Sequence, residues 1–134
     1  MTKLTVAALQ LAFTDDTEAN IHAVSGLVRE AVGKGAEVVL PPELFEGPYF
    51  CRVEDESLFG TARPTAEHPS VLAMQKLAEE LKVWIPTSFF ELEGPHHYNS
   101  LAMVGPDGKV AKRWDKVNVD GHADEVLKAV SEQR

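Results

Sequence analysis

The sequence predicts an α/β domain. It is expected to hold a mixed sheet of about five strands, with a strand–helix–strand start, a C-terminal hairpin and a final helix, stacked as a two- or three-layer sandwich. Three observations carry this expectation. Apolar, β-branched runs over 4–11 and 36–40 flank a stretch of helical period over 18–32. A second helical period over 70–81 leads into an apolar run over 83–91. Two extended runs, 98–104 and 109–119, flank Gly105-Pro106-Asp107-Gly108, and an amphipathic stretch over 123–130 follows.

Each element has a local reason. Thr14-Asp15-Asp16-Thr17 offers capping side chains before the first helix. Ile21, Val24, Leu27, Val28, Ala31 and Val32 then recur at helical spacing, until Gly33-Lys34-Gly35 stops the helix and turns the chain. Strand, helix and strand in that order make a βαβ unit with a right-handed crossover. From 52 to 68 periodicity fails, which predicts a long surface loop with a short helix over 53–59. Val71, Met74, Leu77, Ala78 and Leu81 restore the helical period, with Met74 as core filler. Pro86 falls inside the third strand, and its missing donor is easiest to place at an edge or bulge. Gly105-Pro106-Asp107-Gly108 reads as the turn of a hairpin. Val126, Leu127 and Val130 share one face of the last helix.

The chain of 134 residues fits one domain, 1–134. Its net charge of −8 argues against non-specific binding to nucleic acid or anionic membrane. One cysteine excludes an internal disulfide framework and fits a reducing compartment. With no signal peptide and no apolar run of spanning length, a cytoplasmic location is the expectation. His96 and His97 have no third ligand at metal spacing, so no metal and no cofactor is expected.

The chemistry centres on Leu40-Pro41-Pro42-Glu43-Leu44-Phe45-Glu46-Gly47-Pro48-Tyr49-Phe50-Cys51. Two prolines end the second strand, so Glu43 sits just past a strand's carboxyl end, where open α/β sheets bind ligands. Between prolines and apolar neighbours it is expected to be partly desolvated, the setting of a general base. Spacing alone leaves the alternative, a solvated loop residue, equally open.

This stretch resembles the nitrilase superfamily of carbon–nitrogen hydrolases, and most closely its N-carbamoylputrescine amidohydrolase branch. The likeness also covers Thr5-Val6-Ala7-Ala8-Leu9-Gln10, the run from Pro86 to Glu91, and His97-Tyr98-Asn99-Ser100-Leu101-Ala102. It implies Glu43 as the catalytic base and, through Gly108-Lys109-Val110-Ala111-Lys112-Arg113-Trp114-Asp115-Lys116, Lys116 as the lysine that stabilises developing negative charge. A solvated strand lysine is the other reading of Lys116. The resemblance puts the nucleophilic cysteine on a strand beyond Arg134, and it matches Cys51 only to a cysteine of the glutamate loop. The segment over 105–130, with Val119-Asp120-Gly121-His122-Ala123-Asp124-Glu125-Val126-Leu127, resembles instead the C-terminal hairpin and helix of peroxiredoxins of the bacterioferritin-comigratory type. Together the two likenesses imply a chimera or truncated hydrolase that is inactive alone. The alternative is an amide or carbamoyl hydrolase completed by another chain. A homodimer is expected from the apolar surface that such a partial sandwich leaves open.

Overall fold

A computed structural model describes residues 3–47, 49, 56–115 and 122–132. Helix α1, Thr17–Gly33, begins where Asp16 accepts the Ala19 N–H at 3.1 Å, and it ends where Gly35 turns the chain at φ 99°. Strands β1, Val6–Ala8, and β2, Val38–Leu40, flank it and pair in parallel, Val6 opposite Val38. Both are shorter than predicted. The Leu9 N–H reaches the Leu40 carbonyl at 2.9 Å, and beyond it the chain runs into Pro41 and Pro42, which have no N–H to pair.

The described part of the expected loop, 56–68, contains two 3₁₀ turns, Glu56–Thr61 and Thr65–Glu67, and the start of the short helix expected over 53–59 lies outside the described residues. Helix α2, Pro69–Leu81, follows, with proline at its first position and His68 as its cap. Strands β3, Ile85–Glu93, and β4, His96–Val104, are antiparallel, and β5, Val110–Trp114, pairs on the far side of β4. β3 and β4 each extend two residues beyond the predicted ends that face one another, because Gly94 at φ 58° lets a two-residue turn join them. At the next turn Gly108 has φ 76°, and a Cβ there would lie 2.9 Å from Glu79 Oε2. The end of the predicted last strand, over 116–119, lies outside the described residues. Helix α3, His122–Glu132, closes the described chain.

The parallel pair and the antiparallel three join through one bridge. The Val39 N–H donates to the Trp84 carbonyl at 2.9 Å, and the Trp84 N–H to the Glu37 carbonyl at 3.0 Å. The spatial order is therefore β1-β2-β3-β4-β5. Pro86 lies inside β3 opposite Met103, and on its other side the pairing with β2 is the Val38–Trp84 bridge alone, so it sits on an edge as expected. Trp84 turns both backbone groups toward β2, and Pro86, two residues on, turns the same way. Continuing that parallel register, the Pro86 nitrogen falls beside Val39 and its carbonyl beside Pro41. Neither proline has an N–H to give, and the β2–β3 ladder stops after the bridge.

α1 and α2 cover one face of the sheet, burying Val24, Val28, Val39, Met74, Ile85 and Phe89 between them. α3 packs its Val126, Ala129 and Val130 on the opposite face, over Trp84, Met103 and Trp114. The sandwich thus has three layers at the β3–β5 end. At the β1–β2 end the second face is open, with Val6 and Leu40 exposed.

Candidate functional site at the β2 elbow

Glu43 begins a tight turn, 43–46, immediately after β2. Leu44 takes a left-handed backbone, φ 52°, which is costly for a side chain with a Cβ. The structure holds it there by burial and by hydrogen bonds. Its side chain is buried with Ala62 and Phe90, and its N–H donates to Ser88 Oγ on β3 at 3.2 Å. The Ser88 hydroxyl donates in turn to Asn99 Oδ1 on β4 at 3.4 Å. That commitment aims the Asn99 amide nitrogen at Glu43, whose Oε1 accepts from it at 2.6 Å. Two side chains, one on each of two paired strands, thus fix the turn and its carboxylate.

Glu43 is exposed, which corrects the expectation of a desolvated base. The left-handed residue after it is the reason: Leu44 and Phe45 turn into the interior while Glu43 is left on the face opposite α1 and α2. Among the described residues, Asn99 is its side-chain partner. Lys116 and Cys51 lie outside the described residues, so the expected meeting of Glu43 with Lys116 has no geometry here.

The buried carboxylate of the turn is Glu46, a residue that sequence reasoning passed over. Its Oε1 accepts the Phe90 N–H at 3.1 Å and lies 3.5 Å from His68 Nε2. His68 is 1 % exposed. Its Nδ1 accepts the Ser70 N–H at 3.2 Å, so the ring proton sits on Nε2 and faces Glu46. No signal of period or spacing marks this pair, whose residues are separated by the whole loop.

A second buried carboxylate, Glu91, lies on the α2 face of the sheet. It accepts from Ser100 Oγ at 2.8 Å, and from Thr65 Oγ1 and Arg113 Nη1. Burial of the Arg113 guanidinium opposes its charge, but Glu91, Glu93 and Asp115 around it outweigh that and hold its pKa above the ordinary value. A cleft of about 540 Å³ lies beside the elbow, lined by Asp15, Thr17, Glu46, Leu58, Arg63 and His68 among others. Among the described residues no group of three or more His, Cys, Asp or Glu is placed to hold a metal ion, and no helix is long and apolar enough to cross a membrane.

Comparison with known proteins gives one family. Its description is carbon-nitrogen hydrolase, and it matches residues 5–133. That match runs through the C-terminal hairpin and helix, so the expected chimera with a peroxiredoxin-like tail has no support. An N-carbamoylputrescine amidase of Arabidopsis thaliana is 49 % identical over 106 residues, which are 79 % of this chain and 36 % of that protein. One of Solanum tuberosum is 50 % identical over 78 % of this chain and 35 % of its own length. A citrullinase of Francisella tularensis is 33 % identical over 89 % of this chain and 42 % of its length. The chain therefore spans about two fifths or less of these relatives. A solved carbon-nitrogen hydrolase of Helicobacter pylori shares the fold with a TM-score of 0.77 at 23 % identity, covering 91 % of this chain and 42 % of that one. A glutamate held past the carboxyl end of a parallel strand and a match over nearly all residues lead to the same conclusion: the chain belongs to the carbon–nitrogen hydrolase family.

Proposed function

We propose that this chain supplies the glutamate part of a carbon–nitrogen hydrolase site that acts on N-carbamoyl amines, with N-carbamoylputrescine as the model substrate. The observation that carries this is Glu43, exposed yet fixed by Asn99 at the end of β2. Identity near 50 % with N-carbamoylputrescine amidases supports the substrate class.

In this reading a cysteine thiol attacks the carbamoyl carbon. Glu43 accepts the thiol proton as the sulfur–carbon bond forms. The carbon–nitrogen bond then breaks, and the departing nitrogen leaves with that proton. A water molecule next attacks the acyl carbon, Glu43 takes its proton, and the sulfur–carbon bond breaks with that proton returned to the thiol. Lys116 stabilises the negative charge that develops on the carbonyl oxygen. Cys51 is the chain's own cysteine, and it is assigned to the glutamate loop; the nucleophile comes from residues outside these 134. The relatives are long enough to hold it, since the match covers 36 % of the Arabidopsis protein. The open second face at Val6 and Leu40 supports association, with a second copy or with that missing part.

The test is complementation. The chain is mixed with the unmatched remainder of the Arabidopsis amidase, and ammonia release from N-carbamoylputrescine is measured. Release is expected from the mixture, background from the chain alone, and background from a mixture carrying Glu43→Gln. Release that survives Glu43→Gln, or no release from a mixture that co-elutes as a complex, overturns the proposal.

A further inference from the structure

We infer that Glu46 and His68 are positioning residues for Glu43, acting through the turn they share with it; the inference deepens the reading of Glu43 as the reactive carboxylate. The turn 43–46 is held to the sheet at three points. Leu44 is tied to Ser88 and Glu43 to Asn99. Glu46 makes the third tie, to the Phe90 N–H at 3.1 Å. Phe90 and Asn99 are opposite one another in the β3–β4 register. The strand pair therefore links the anchor of Glu46 to the anchor of Glu43: Glu46 sets where the turn lies against β3, and Asn99 grips the other end from the next strand.

His68 completes the device. Its ring is buried against Phe89, with centroids 5.3 Å apart, and its Nδ1 caps α2. The remaining ring nitrogen faces Glu46 Oε1 at 3.5 Å. One oxygen of Glu46 thus faces both the sheet and the helix. Among the described residues Glu46 Oε2 and His68 Nε2 are buried without a hydrogen-bond partner, the 3.5 Å approach of Nε2 being a polar contact. A turn with a left-handed leucine is strained, and strained turns persist only where their surroundings over-determine them. The two carboxylates of the turn divide the work. Glu46 is turned inward to hold, and Glu43 is turned outward to react.

This division makes a specific claim about substitutions. Glu46→Gln keeps an amide oxygen where Oε1 stands, so both contacts survive in neutral form. Glu46→Ala removes them. His68→Asn keeps a residue able to cap α2 but does not reach Glu46. The experiment uses the whole chain and reads the Asn99 side-chain amide by two-dimensional nuclear magnetic resonance, together with hydrogen exchange at the Leu44 N–H. Glu46→Ala is expected to move the Asn99 side-chain signal and speed Leu44 exchange by about tenfold or more relative to the global rate. His68→Asn should move both in the same direction by less, and Glu46→Gln should restore most of the native pattern. Val24→Ala, on the helix side, lowers stability without touching the turn and should leave the Asn99 signal in place. If Glu46→Ala does not fold, His68→Asn and Glu46→Gln carry the same comparison. An Asn99 signal unmoved by the Glu46 and His68 variants, or moved as much by Val24→Ala, overturns the inference. None of these signals depends on turnover, so an absence of hydrolysis in the complementation assay leaves this result standing or falling by itself.

Discussion

Replacing Leu44 separates the strain of the elbow from its packing. The side chain is 1 % exposed and packs with Ala62 and Phe90 in a small cluster beside the open cleft. Leu→Ala in a core costs about 2–5 kcal/mol, more where the cavity cannot relax. Here solvent and neighbours can close in, so about 2–3 kcal/mol is expected for Leu44→Ala. Alanine keeps the Cβ that makes φ 52° costly, and glycine does not. Leu44→Gly should therefore be more stable than Leu44→Ala by about 1 kcal/mol, although it removes more of the side chain. Urea denaturation monitored by tryptophan fluorescence measures both, with equal slopes confirming a common two-state transition. Leu44→Ala more stable than Leu44→Gly would refute the reasoning, because it would mean the left-handed backbone carries no strain.

The other expectations concern the charges. Glu91→Ala leaves Arg113 beside Glu93 and Asp115 but strips the buried hydroxyl of Ser100 of its acceptor, so a loss of about 3 kcal/mol, the low end for a broken buried pair, is expected in urea; a loss under about 1 kcal/mol would show that the pair is effectively solvated. The Glu80 and Glu30 carboxyls are held below their ordinary pKa by hydrogen bonds from Arg29 and Lys34. A depressed carboxyl stabilises the fold above its unfolded pKa and loses that contribution as pH falls through the folded one. The melting-temperature gap between the native chain and Glu80→Gln should be present at about pH 7, close toward about pH 3, and shrink in salt because the pair is exposed; a gap that persists in acid contradicts the assignment.

Much of this architecture was legible because it follows from local rules. Val38-Val39-Leu40 before two prolines identified a parallel strand and its end, though only Val39 of the three is buried, and the helical period over 18–32 and 70–81 identified α1 and α2. Which carboxylate of the elbow is buried was not legible. Apolar neighbours in sequence pointed to Glu43, but in a turn the side-chain directions are set by backbone angles, and Leu44 at φ 52° sends Glu43 out while Glu46 goes in. The pairing of Arg113 with Glu91 was equally hidden. It depends on the registers of β3 with β4 and of β4 with β5, and these rest on a two-residue turn at Gly94-Pro95 and on an irregularity between Met103 and Val104. The Glu46–His68 pair spans a loop without periodicity, where sequence spacing holds no information about distance.

The contrast among the three carboxylates near the elbow gives a physical reason to place the chemistry on Glu43. A general base needs an oxygen that an incoming proton can reach. Both oxygens of Glu91 are committed, to two hydroxyls and a guanidinium, and the side chain is buried. Glu46 has a spare oxygen, but that atom is sealed from solvent. Glu43 alone of the three is exposed, and its described partner is a single neutral amide on Oε1. Asn99 is a donor that orients the carboxylate without neutralising it, and Ser88 keeps Asn99 from turning its oxygen toward Glu43. The sheet thus supplies what a loop carboxylate ordinarily lacks: a fixed direction, at the cost of one lone pair, on a side chain that stays exposed.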